Sequence, residues 1–181
     1  MVIKETKLKG CFIIKPQVIK DKRGYFIENY NQKTFNEALG IEINFVQDNE
    51  SLSTKGVLRG LHYQLGKYAQ AKLVRVIKGK VLDVVVDLRP KSSTFGEHLT
   101  IELSEKNMTH LFVPRGFAHG FLVLENQTIF SYKCDNFYNK TSEAGIIYND
   151  KDLNINWELS KKELIISNKD KILPKFKDAK I

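Results

Sequence analysis

The sequence predicts an all-β fold, a jelly-roll barrel with a few short helices. Three observations predict it. Short apolar and β-branched runs recur along the chain. Turn residues separate them at intervals of about 8–12 residues, the spacing of sandwiches and barrels. Only one segment before residue 140 carries a good helix signal. Among β architectures the jelly roll fits best, because it closes most sheet edges and leaves a hollow interior for a ligand.

The elements follow in order. Cys11–Ile14 and Tyr25–Tyr30 read as strands near the start. Gln32–Leu39 reads as a helix that Gly40 ends. Ile43–Gln47 and Val57–His62 are the next strands. Leu73–Ile77 and Val81–Leu88 are aliphatic and β-branched, and Lys78-Gly79-Lys80 between them reads as a hairpin turn. Leu99–Leu103, Leu111–Val113, Phe121–Leu124 and Thr128–Lys133 complete the set, with Gly56, Gly66, Pro90, Gly96, Pro114 and Gly116 as punctuation.

Length and charge narrow the function. A chain of 181 residues, 42% hydrophobic and 28% charged, fits one globular domain spanning 1–181. The net charge of +8 is uneven: residues 1–23 carry +5, residues 161–181 carry +4 and the middle carries −1. A nucleic-acid protein more often shows a basic stripe with interleaved aromatics, so no nucleic-acid partner is expected. No apolar run approaches the roughly 20 residues of a membrane helix, and no signal-peptide core follows the lysine-rich start. Two cysteines, Cys11 and Cys134, make no disulfide framework, so the cytoplasm is the expected location.

Two polar clusters stand out. The first runs through Gln47, Asn49, Ser51 and Ser53 to Arg59, His62 and Gln64. Strand alternation puts His62 and Gln64 on one face and Arg59 on the other. The second, Pro114-Arg-Gly-Phe-Ala-His-Gly-Phe121, sets His119 among small residues and aromatics at a turn entering a strand. Lys72 opens the strand after the first cluster, and Tyr132 lies in a later strand. Taken singly, each has an ordinary structural reading: a satisfied core histidine, a core tyrosine, a solvated charge. Metal-binding barrels of this shape usually offer two histidines one residue apart, a downstream glutamate and a third histidine. Here Gln64 follows His62 and no acid comes before Asp83, so no metal is expected.

The order of these motifs resembles the dTDP-4-dehydrorhamnose 3,5-epimerase family, cupin-type jelly rolls, over Leu8 to Pro174. The resemblance rests on Asp21-Lys-Arg-Gly-Tyr-Phe-Ile-Glu28, Phe45-Val-Gln-Asp-Asn-Glu-Ser51, Gly56-Val-Leu-Arg-Gly-Leu-His-Tyr-Gln64, Lys72, Asp83-Val-Val-Val-Asp-Leu-Arg89, Thr94-Phe-Gly96, the His119 cluster, Tyr132-Lys133, Tyr138 and Ser167-Asn-Lys-Asp170. It implies a substrate with a ketone at sugar carbon 4, which acidifies the protons on carbons 3 and 5. Inversion then needs a base on one face, an acid on the other and a group at the enolate oxygen, and no cofactor. The resemblance makes His62 the base, Asp170 its partner, Tyr132 the acid and Lys72 the enolate stabiliser, with His119 holding the sugar. It gives Arg59 and Arg23 to the diphosphate with Lys169 nearby, and Gln47, Asn49, Tyr138 and Phe26 to the nucleotide. Glu28 and Glu143 go to the nucleoside and sugar region. It also implies a homodimer in which Arg23, Phe26 and Glu28 serve the neighbour's pocket.

This chain departs from the pattern in Gly66–Ala71, which lacks a proline, in Tyr148, where tryptophan is common, and after Trp157, where a proline is missing. These touch loop shape more than chemistry. The competing expectations are an epimerase acting at one carbon, a non-catalytic sugar-binding barrel and a metal-dependent barrel enzyme. The presence of His62, Tyr132 and Asp170 counts against the second.

Overall fold

The computed structural model describes residues 1–181. The strands are β1 (Val2–Glu5), β2 (Phe12–Lys15), β3 (Val18–Asp21) and β4 (Gly24–Ile27), then β5 (Gln47–Ser53), β6 (Val57–Gln64), β7 (Lys72–Lys78) and β8 (Lys80–Asp87). They continue as β9 (His98–Ser104), β10 (His110–Val113), β11 (Phe117–Val123), β12 (Thr128–Cys134), β13 (Glu143–Gly145) and β14 (Ile165–Ile166). One sheet has the order β1-β2-β10-β7-β12-β5; the second has β13-β6-β11-β8-β9, with β14 parallel to β6. β3 and β4 form a hairpin apart from both.

The two sheets face one another over a core of Val74, Leu111 and Phe130 from the first and Val81, Val85, Leu103 and Phe121 from the second. The second sheet is buried on its other face too. There Leu82, Val84, Val86 and Leu122 meet Ile146, Leu153 and Trp157 of the C-terminal region. This double burial is why β8 reads as a continuous valine run rather than an alternating one. The outer face of the first sheet is covered by α1 (Gln32–Leu39), whose Phe35 packs on Leu73 and Phe112. Asn31 caps α1 by accepting the Thr34 N–H, and Gly40 ends it at φ +63°; the sequence predicts the helix and the Gly40 stop but not the cap.

Three expectations need correction. Lys78-Gly79-Lys80 is not a hairpin turn: β7 pairs with β10 and β12, β8 with β9 and β11, so the chain changes sheets at Gly79. A side chain there would meet the Thr128 hydroxyl, and φ is +80°, so glycine makes the corner possible. Ile43–Gln47 is irregular up to Val46, and the strand is Gln47–Ser53 instead. Ile43 and Phe45 alternate as a strand would, but they do so to cover the first sheet beside Phe35. β11 begins at Phe117, so His119 lies within a strand rather than at its entrance.

Candidate active site

A cavity of about 610 Å³ opens between the sheets, lined by β5, β6, β11, β12 and the segment 165–170. A smaller recess of about 120 Å³ continues from it toward Gln47, Gln64, Tyr138 and Glu143, sharing Asn49, His62, Lys72 and Tyr132.

His62 enters from β6. Its Nε2 lies 2.7 Å from Asp170 Oδ1, while the Gly60 N–H donates to Asp170 Oδ2 at 3.2 Å. A carboxylate only accepts, so the proton of a neutral ring sits on Nε2 and the Nδ1 lone pair is free. Burial pushes the Asp170 carboxyl up, but the His62 hydrogen bond and charge and the Gly60 amide outweigh it and hold the group below the usual carboxylate range. Asp170 begins a 3₁₀ turn, and its N–H donates to Ser167 Oγ at 3.1 Å.

Arg59 lines the same cavity as His62, contrary to simple alternation. Along β6 the register runs from Arg59 opposite Phe121 to His62 opposite His119, three steps against two on β11. This bulge faces Gly60 and Leu61 toward Gly120 and turns Arg59 to the His62 side. A Cβ on Gly60 would lie 2.6 Å from Gly120 Cα, and its φ is +125°. Arg59 Nη2 then donates to Ser53 Oγ at 3.3 Å. Gln64 instead donates to the Tyr68 carbonyl and accepts the Asn139 N–H at 2.6 Å, bracing loops.

The facing wall belongs to the other sheet. Tyr132 on β12 lies opposite Asn49 of β5, and Lys72 opens β7 with its ammonium 5.8 Å from the Tyr132 ring centroid. Burial raises the Tyr132 hydroxyl above its usual range, Cys134 adds to this and Arg59 opposes it, so the phenol keeps its proton at neutral pH. Burial also lowers the Lys72 ammonium, against the pull of Cys134, Asp83 and Glu143.

His119 forms a second pair: its Nε2 lies 2.9 Å from Asp83 Oδ2, with both side chains buried and the ring stacked on Phe130. Asp83 heads one of the family motifs, but the sequence reading gave it no role in the site. Its signal was an acid inside a β-branched strand, where an unpaired charge is costly. At the recess, Tyr138 donates to Glu143 Oε2 at 2.9 Å and Lys169 pairs with the other oxygen. Gln47 donates to Asn49 and accepts the Tyr138 N–H at 3.0 Å.

Arg23, Phe26 and Glu28 do not join this group within the chain. Arg23 pairs with Asp21 at the tip of the β3–β4 hairpin, and Phe26 and Glu28 line a separate cleft of about 330 Å³. No group of three or more His, Cys, Asp or Glu side chains is placed to hold a metal ion, and no helix is long and apolar enough to cross a membrane.

The chain is similar in sequence and fold to known proteins. A dTDP-4-dehydrorhamnose 3,5-epimerase of Shigella flexneri is 50% identical over 179 residues, covering 99% of this chain and 98% of its own. The crystal structure of the dTDP-4-dehydrorhamnose 3,5-epimerase from Elizabethkingia anophelis superimposes with a TM-score of 0.95 at 55% identity, covering 98% of this chain and 97% of that one. A dTDP-6-deoxy-D-glucose-3,5-epimerase of Legionella pneumophila, solved in complex with dTDP-4-keto-L-rhamnose, gives 0.94 at 44% identity, with 98% and 93% covered. The sequence model described as dTDP-4-dehydrorhamnose 3,5-epimerase matches residues 5–178, and the chain belongs to that family.

Proposed function

We propose that the protein is a nucleotide-sugar epimerase, one catalytic domain that converts dTDP-4-keto-6-deoxy-D-glucose to dTDP-4-keto-L-rhamnose by inverting carbons 3 and 5. One observation carries the chemistry. The His62–Asp170 pair stands on one wall of the cavity, and Tyr132 with Lys72 stands on the other.

A sugar ring between those walls presents one face to each. His62 Nδ1 takes the proton from a carbon beside the ketone, and Asp170 stabilises the imidazolium that forms. The electron pair moves onto the carbonyl oxygen as an enolate. The Lys72 ammonium lies on the wall where that charge can be met. Tyr132 returns a proton from the opposite face, which inverts the centre. Solvent then takes the proton from His62 and restores one to Tyr132, and the same set acts at the second carbon after the ring shifts. His119, fixed by Asp83, holds a sugar hydroxyl. Arg59 and Lys169 meet the diphosphate, and Gln47, Asn49, Tyr138 and Glu143 meet the nucleoside in the recess.

The reading includes a homodimer. Ile19, Tyr25 and Phe26 of the β3–β4 hairpin are 56%, 59% and 68% exposed, an apolar surface suited to a second copy. Arg23, Phe26 and Glu28 then complete the neighbour's pocket. Mixing His62→Ala with Arg23→Ala chains tests this. Only if Arg23 acts across the interface does a mixed dimer regain one intact pocket and measurable turnover. Both cysteines are buried and unpaired, consistent with a cytoplasmic enzyme.

Proton NMR of the substrate in heavy water is the direct test of activity. Loss of signal at positions 3 and 5 with appearance of the L-configured product is expected. Exchange at one position only would replace the reading with a single-centre epimerase.

A further inference from the structure

We infer that the last nine residues, Leu173–Ile181, are a positioning element for the reaction: they hold Asp170 against His62, and Tyr63, Asp150 and Phe176 are the residues that fasten them. The inference rests on the assignment of His62 and Asp170 above.

Asp170 leaves the barrel wall on a short turn of three residues, Asp170–Ile172, with no long element of its own. Beyond that turn the chain forms a strap with inward contacts at every third residue. Leu173, Phe176 and Ala179 are half-buried, while most of the residues between them are exposed. Leu173 lies on Gly145, where an added Cβ would come within 2.8 Å of it. Gly145 is the residue directly opposite His62 in the β13–β6 register. Phe176 packs on Phe95 with ring centroids 5.3 Å apart, and both it and Ala179 cover the outer core of the second sheet.

Three hydrogen bonds fasten the strap at intervals. The Ile147 N–H donates to the Pro174 carbonyl at 2.8 Å. The Phe176 N–H donates to Asp150 Oδ2 at 2.9 Å. The Tyr63 hydroxyl donates to the Lys180 carbonyl at 2.6 Å. Asp150 is 4% exposed, and its other oxygen accepts the N–H groups of Asp152 and Leu153, so it ties the strap to a preformed loop. Tyr63 is the residue after His62, so both halves of the His62–Asp170 pair are braced by the same strap.

No residue of the strap lines the cavity or its recess. Loosening it should therefore move kcat more than KM. The test uses full-length Phe176→Ala, Tyr63→Phe and the double variant, with Phe176→Leu as the conservative replacement and His62→Ala as control. Three readouts are taken: kcat and KM, cooperative thermal unfolding, and the downfield imidazole N–H resonance that His62→Ala removes. The expected result for the double variant is a fall in kcat of at least tenfold with KM within threefold. Unfolding stays cooperative, the N–H resonance is broadened or lost, and Phe176→Leu recovers most of the rate. An unchanged kcat and resonance beside an inactive His62→Ala would overturn the role of the strap and leave His62 as the base. An active His62→Ala would instead overturn the assignment of the base, and the resonance alone would then decide whether the strap holds the pair.

Discussion

Replacing Asp170 by asparagine preserves the shape of the side chain and removes one acceptor. Both native oxygens face N–H donors, His62 Nε2 at 2.7 Å and the Gly60 amide at 3.2 Å. An amide has one oxygen and one NH2, so one of those donors must meet another donor. If the oxygen stays on His62, the ring keeps its tautomer but loses the charge that stabilises imidazolium. Hydrogen bonds to charged groups are worth about 1.5–3 kcal/mol, which is roughly a 10- to 150-fold loss in kcat. If the NH2 turns to His62, the ring must accept at Nε2 and carry its proton on Nδ1, which removes the base. That loss approaches the roughly 10²–10⁴ that general-base catalysis supplies. The expected outcome is a fall in kcat of about 10–10⁴, depending on which way the amide turns, with KM within about threefold, since Asp170 lies behind His62. Stopped NMR time courses at saturating substrate would measure it. An Asp170→Asn enzyme within fivefold of wild-type kcat would refute the reasoning, because no placement of the amide satisfies both donors.

Tyr132→Phe should still exchange substrate protons with solvent but fail to invert one or both centres, read as deuterium incorporation without L-configured product. Arg59→Met should raise KM about 10- to 100-fold with kcat little changed, the cost of one charge-assisted contact to the diphosphate; steady-state kinetics checks it. His110 is lowered from 6.5 to about 4 by burial, with Arg75 adding to the effect. Its folded value lies below its unfolded one, so the unfolded chain binds the extra proton in that window. Stability is therefore fully present above pH 6.5 and falls by up to roughly 3 kcal/mol as pH drops to about 4. Urea unfolding at pH 7 and pH 4.5 should show that difference shrinking in His110→Phe. Leu111→Ala, at a fully buried position between the sheets, should lower unfolding free energy by about 2–5 kcal/mol in the same assay.

The β architecture was legible because β7, β8 and β12 carry their own apolar runs, and α1 was legible from Gly40. β5 was not, because an edge strand facing a polar cavity has no apolar pattern: Gln47–Ser53 alternates half-buried with exposed residues, its one apolar side chain, Leu52, is exposed and Ser53 is buried. The sheet change at Gly79 also escaped, since a turn residue marks where the chain bends and not which strand it joins afterwards. His62, Arg59, Lys72 and Tyr132 could be noticed as polar interruptions, but only the family resemblance brought Asp170 to them. By itself Ser167–Asp170 is a polar turn 108 residues from His62. Arg59 was put on the wrong face because a bulge changes the period of two locally, and nothing short of the β11 register reveals it. Asp83 was the one partner a stricter reading would have found.

The division of the pocket between two sheets bears on how such enzymes diverge. His62 and Asp170 depend on β6 and the C-terminal strap, whereas Tyr132 and Lys72 depend on β12 and β7. Heritable changes that retune the donor wall can accumulate without disturbing the wall that removes protons. A descendant that loses or re-aims the phenol still makes the enolate, so solvent can return a proton at one centre while the other stays as it was. New stereochemical outcomes are then a few substitutions away on one sheet, with the barrel and the nucleotide recess inherited intact.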